Sequence, residues 1–171
     1  VDEVIRPAEV ILASLLAISL SACSEPDVDQ SQLPRDHRAA TRYAAALRVD
    51  LPAMEARASG LYVEDIVIGE GIRADSGDIA NVYYVGWLPS GVEFDSRRDG
   101  APLEVALGYG RVIAGWDQGV VGMRVGGRRR LVVPPALGYG DVSRTRIPAS
   151  STLVFEIELL DVEDRTPDPG A

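Results

Sequence analysis

Residues 111–127, RVIAGWDQGVVGMRVGG, constrain the fold of this chain more than any other stretch. Val112, Ile113, Trp116, Val120 and Val121 recur at helical spacing, while Gly108, Gly110, Gly115 and Gly119 keep the helix short and open to close approach. Each interior glycine costs a helix about 1 kcal/mol relative to alanine, so this one forms only when packing holds it. The segments on either side alternate as strands. A short helix laid against a sheet, with a large indole at the contact, satisfies both patterns. Spacing alone makes Trp116 a core aromatic.

The strands follow in order. Residues 61–68, LYVEDIVI, read as the first and end at the turn Gly69-Glu70-Gly71. Residues 81–88, NVYYVGWL, put Val82, Tyr84 and Gly86 on one face and Tyr83, Val85 and Trp87 on the other. Pro89-Ser90-Gly91 turns the chain into VEFDS, and residues 103–107, LEVAL, form another short strand. After the helix come RRRLVV at 128–133, a long loop at 134–151, and TLVFEIELLDV at 152–162. In that last strand Leu153, Phe155, Ile157 and Leu159 are expected to face the core, and Val154, Glu156 and Glu158 to face water. The fold class is therefore α+β: an antiparallel sheet with one wet face and one short helix on the other.

Composition excludes several kinds of chemistry. All 17 basic residues are arginines, and against 26 acidic residues they leave a net charge of −9, which argues against nucleic acid as a partner. Arg128–Arg130 is the one basic run. It opens an alternating strand that sends neighbours to opposite faces, and it is read as a solvated strand edge. One cysteine, Cys23, allows neither an internal disulfide nor a cysteine-rich metal site. His37, the only histidine, falls in a linker, so Ser/His and Cys/His hydrolysis are set aside and no cofactor is expected.

The amino-terminal part reads as targeting. Residues 10–20, VILASLLAISL, have the length of a signal-peptide apolar region and are too short to span a bilayer, although Asp2 and Glu3 offset Arg6 where positive charge is expected. Leu20-Ser21-Ala22-Cys23 resembles the lipobox of bacterial lipoproteins, which implies removal of residues 1–22 and acylation of Cys23. Acyl chains contribute about 0.8 kcal/mol per buried CH₂, enough for a stable membrane anchor in the cell envelope. The competing reading is a buried helix with an incidental cysteine. Residues 24–34 are a polar tether, and the alanine-rich 36–58 has helix-forming composition interrupted at Pro52. The folded domain is assigned to 60–164, with a polar tail at 165–171.

Read together, VYYVGWL, GVEFDSRRD, LGYGRVIAGWDQGVVGMRVGGRRRL, PPALGYG and IPASSTLVFEIELLDV resemble, in order and spacing, the FK506-binding-protein (FKBP) type of peptidyl-prolyl cis/trans isomerase. The resemblance runs from Leu61 to Asp164. It implies a twisted antiparallel β-sheet wrapped around one short α-helix, with the site between them. Trp116 would be the floor of a proline pocket, Tyr84, Phe94 and Phe155 its aromatic walls, and Val112 and Ile113 its rim. The Ile113 N–H and the Tyr139 hydroxyl would bind substrate carbonyls, Ile147 would cap the pocket, and Asp95 would be an inward carboxylate held by hydrogen bonds, one of them to Tyr84.

The chain departs from the family pattern in two loops. Residues 98–103 are one residue short, carry no arginine after Asp99, and place Leu103 where an aromatic is usual. The loop after 133 is also a residue short, lacks a histidine, and has Ala149 for a second proline. Asp95 thereby loses its usual cationic neighbour, for which Arg97 or Arg98 would substitute. What the resemblance implies is isomerisation of Xaa-Pro bonds in exported proteins, with proline-containing polypeptides as substrates and macrolides of the FKBP class as ligands. The alternative is a catalytically weak proline-binding chaperone or scaffold module.

Overall fold

The computed structural model describes residues 41–163; the targeting segment 1–22, Cys23, the tether, His37 and the tail lie outside the described residues. Seven strands, β1 (Glu55–Ala56), β2 (Tyr62–Val67), β3 (Ile79–Trp87), β4 (Glu93–Arg97), β5 (Leu103–Ala106), β6 (Arg128–Val133) and β7 (Leu153–Glu163), form one antiparallel sheet, and α1 (Ala114–Val120) is the α-helix among the described residues. The sheet order is β1-β2-β6-β7-β3-β4. β5 pairs with β3 along the same edge as β4: β4 lies opposite Tyr84–Trp87 and β5 opposite Ile79–Val82. One long edge strand is thus broken by the excursion at 98–102, the stretch where the sequence is a residue short.

The inward-facing set expected for β7 is buried, with one reset of phase. Leu153, Phe155, Ile157 and Leu159 are all buried, and a bulge at Leu160 shifts the phase so that Val162 turns inward. The helix packs tightly across this face. A Cβ on Gly115 would lie 2.5 Å from Val133 Cγ1, and one on Gly119 would lie 2.4 Å from Leu131 Cδ1. Glycine at these two positions is what allows the approach. Before the helix, Gly108 and Gly110 take positive φ (+80° and +65°), and both their N–H groups donate to the Asp117 carboxylate at 3.1 and 3.0 Å. The glycine-rich approach is thereby tied back to the first turn of α1.

Three expectations are corrected by the structure. β6 is not a solvated edge, since it lies between β2 and β7. Its arginines do alternate, but two are buried and paired. Arg129 makes a two-pronged bond to Asp65 at 2.7 and 3.0 Å and also donates to the Gly119 carbonyl at 2.8 Å. Arg130 binds Glu64 at 2.6 Å and Glu156 at 3.4 Å. Val154 does not face water: it is buried with Val132 beneath Leu47 and Met54. Within 41–58, finally, the alanine-rich segment forms no α-helix but two 3-10 turns, Ala45–Leu47 and Leu51–Ala53, that lead into β1 and cover part of the outer sheet face. Apolar side chains spaced to sit on Val132 and Val154 outweigh alanine's helix propensity there.

Candidate active site

Between α1 and the sheet lies a cleft of about 530 Å³. Its walls come from separate elements. β3 supplies Tyr84, β4 Phe94 and Asp95, β7 Phe155, α1 Trp116, and the chain entering α1 supplies Val112 and Ile113. Leu103 comes from β5, and Gly138, Tyr139 and Arg144 from the loop after β6.

The aromatic rings form a continuous edge-to-face chain. Tyr84 meets Trp116 at 5.0 Å between centroids and 84° between planes, Trp116 meets Phe155 at 5.4 Å and 88°, and Phe155 meets Phe94 at 5.6 Å and 89°. Such pairs each contribute about 0.5–1.5 kcal/mol beyond their buried area, so the walls are stiff. Gly86 makes room for them: a Cβ there would lie 2.6 Å from Phe94 and 2.9 Å from Phe155. Trp116 is only 4% exposed and forms the floor. Its indole N–H is buried with no hydrogen-bond partner among the described residues, a cost of about 1–3 kcal/mol.

Polar groups sit at the edges of this apolar surface. The Tyr84 hydroxyl donates to Asp95 Oδ2 at 2.6 Å, and the Ser96 N–H donates to Asp95 Oδ1 at 2.9 Å. Burial pushes the Tyr84 hydroxyl well above the ordinary tyrosine range, and the hydrogen bond and charge of Asp95 push it further. Neither candidate arginine pairs with Asp95. Arg98 binds Glu93 at 2.5 Å and with Ser96 lowers that carboxyl to about 2, while Arg97 donates to the Ala101 carbonyl at 2.9 Å. The Arg97 bond and a 2.7 Å bond from the Tyr83 hydroxyl to the Gly100 carbonyl hold the shortened excursion against the sheet.

Ile113 stands just before α1 in extended backbone (φ −60°, ψ 146°), and its carbonyl accepts from the Trp116 N–H at 2.9 Å. Tyr139 is half-buried, with the Arg144 guanidinium 5.4 Å from its ring centroid. Of the ten pocket residues expected from the sequence, nine line the cleft. Ile147 does not: it is buried in the adjoining core and bridges back to Arg144. Sequence reasoning passed over Arg111, Ala114, Gly138 and Arg144, which also line it. For Arg111 a signal was present, since it immediately precedes Val112 and Ile113.

Comparison with known proteins identifies the family of the chain. Residues 70–160 match the model of the family described as FKBP-type peptidyl-prolyl cis-trans isomerase. The FK506-binding protein of Neisseria meningitidis serogroup B is 47% identical over 105 residues, which cover 60% of this chain and 96% of that protein. FK506-binding protein 4 of Chaetomium thermophilum is 46% identical over 104 residues; the match covers 61% of this chain and 22% of that longer relative. This chain thus matches between 21% and 28% of the fungal relatives' length. Among solved structures, AtFKBP13 superposes with a TM-score of 0.59 at 38% identity, covering 64% of this chain and 98% of that one. FkpA from Escherichia coli gives 0.60 at 38%, covering 66% and 53%. A family match over more than half of the chain, and a bacterial relative aligned along nearly all of its own length, establish that this chain belongs to the FKBP-type peptidyl-prolyl cis-trans isomerase family.

Proposed function

We propose that this protein accelerates cis/trans rotation about Xaa-Pro bonds in exported polypeptides, working non-covalently in the cleft between α1 and the sheet. The observation that carries this reading is the orthogonally packed aromatic surface of Tyr84, Phe94, Trp116 and Phe155.

Resonance opposes twisting of a peptide bond by about 18–20 kcal/mol, and uncatalysed Xaa-Pro exchange takes tens to hundreds of seconds. Bringing exchange to milliseconds, roughly 10⁴-fold, requires the barrier to fall by about 5.4 kcal/mol. Twisting breaks the resonance that polarises the planar amide. An apolar cavity therefore favours the twisted form over the planar one, and no nucleophile or metal takes part. The Ile113 N–H and the Tyr139 hydroxyl are suited to hold the carbonyls on either side while the ring turns. Asp95, with both oxygens engaged, positions Tyr84.

A second reading is a proline-binding chaperone or scaffold module with little turnover. It is favoured by Asp95 having no guanidinium partner and by Leu103 standing where the family's wall is aromatic, a change that would also weaken macrolide binding. Exchange of short Xaa-Pro peptides, measured by NMR, separates the two. The wild type should accelerate exchange, Trp116→Ala should lower kcat/KM at least tenfold, and Tyr139→Phe should lower it less. Exchange rates equal with and without wild-type protein would replace the isomerase by the binding module.

The lipobox-like quartet ending at Cys23 supports a location on the membrane surface of the cell envelope. Full-length protein should pellet with membranes through a high-salt wash, and Cys23→Ala should release it. Retention of the variant through that wash would exclude the anchor.

A further inference from the structure

The cleft carries two cations to which proline isomerisation gives no task. Arg111 enters it from the approach to α1 and Arg144 from the loop after β6, and both side chains are exposed. Neither forms a salt bridge among the described residues. The arginines of β6 do otherwise: Arg128, Arg129 and Arg130 are all ion-paired. Arg144 is held on the cleft wall by stacking on the Tyr139 ring. The one carboxylate that lines the cleft is Asp95, whose oxygens already accept from Tyr84 and Ser96. Two guanidiniums against one engaged carboxylate leave the mouth positive on a chain whose net charge is −9.

We infer that Arg111 and Arg144 set substrate preference, favouring polypeptides in which an aspartate or glutamate lies beside the proline. This inference rests on the isomerase reading of the same cleft. Both guanidiniums line the cleft whose floor is Trp116, so a chain whose proline ring rests there presents its flanking residues to the wall they share. Among the residues lining the cleft the one carboxylate, Asp95, is already engaged. Exposed ion pairs are individually weak and are screened by salt, so the preference is modest and depends on ionic strength.

The test compares two peptides that differ only in charge, Ala-Glu-Pro-Glu-Phe and Ala-Gln-Pro-Gln-Phe, each rate normalised to its uncatalysed exchange. Wild-type protein should show a glutamate-to-glutamine ratio of kcat/KM of about three- to tenfold, the range expected for two exposed pairs. The ratio should fall to about one in the double variant Arg111→Gln, Arg144→Gln, and should shrink in about 0.5 M salt. A wild-type ratio of one or less, or a ratio that survives in the double variant, overturns the inference. If neither peptide is accelerated, the isomerase reading fails instead. The preference is then read from the ratio of Kd values for the same peptides by chemical-shift titration, with the same two outcomes deciding it.

Discussion

Tyr84 and Asp95 show how one short hydrogen bond fixes a carboxylate at the edge of the aromatic surface. Burial and the adjacent carboxylate both hold the Tyr84 hydroxyl in its protonated form. The unfolded chain loses that proton near the ordinary value of 10.0, so the contribution to stability is complete below that pH and is lost as pH rises above it. Urea denaturation from about pH 8 to about pH 11 should therefore show stability falling, with a smaller fall in Tyr84→Phe. Equal slopes in the two proteins would mean that the hydroxyl is not held as described. Asp95 and its tyrosine were legible in the sequence because VYYVGW and FDS are local signatures on neighbouring strands. What Arg97 and Arg98 do was not legible. Their bonds go to Ala101 and Glu93, which depends on how the shortened 98–102 excursion folds back.

At the scale of elements, the helix owes its place to two missing side chains. Gly115 faces Val133 and Gly119 faces Leu131, both fully buried, and the β-branched Val133 cannot rotate clear. Gly115→Ala should gain about 1 kcal/mol of helix propensity yet lose about 1–3 kcal/mol to overpacking, for a net loss in chemical denaturation. It should also raise KM for proline peptides by shifting Trp116; a stabilised variant with unaltered KM would contradict the packing described. The short, glycine-dependent helix could be read from spacing. The standing of β6 could not. Period-two alternation tells which arginines share a face, but the strands on either side, β2 and β7, come from distant parts of the chain. Whether Arg129 and Arg130 meet solvent or acids is settled by those neighbours.

Across the whole molecule the sheet separates two apolar clusters, one beneath the helix and one on the opposite face, where Leu47 and Met54 cover Val132 and Val154. Leu47→Ala should cost about 2 kcal/mol in urea denaturation, the low end for a buried leucine at the margin of a core, and leave kcat/KM within about twofold because it lies across the sheet from the cleft. No loss of stability would mean that this segment does not brace the sheet. By itself the sequence determined the α+β class and the strand and helix assignments from β2 to β7, and nine of the ten residues it singled out line the cleft. Periodicity and local motifs act over a few residues, and the family signature is a set of such motifs in order. Only the tertiary structure decided what depends on distant partners: the cover over the outer face, the pairing of the β6 arginines, the broken edge strand, and the meeting of Arg111 with Arg144 at one cleft. Each depends on residues far apart in the chain coming together, and no local pattern encodes which of them do.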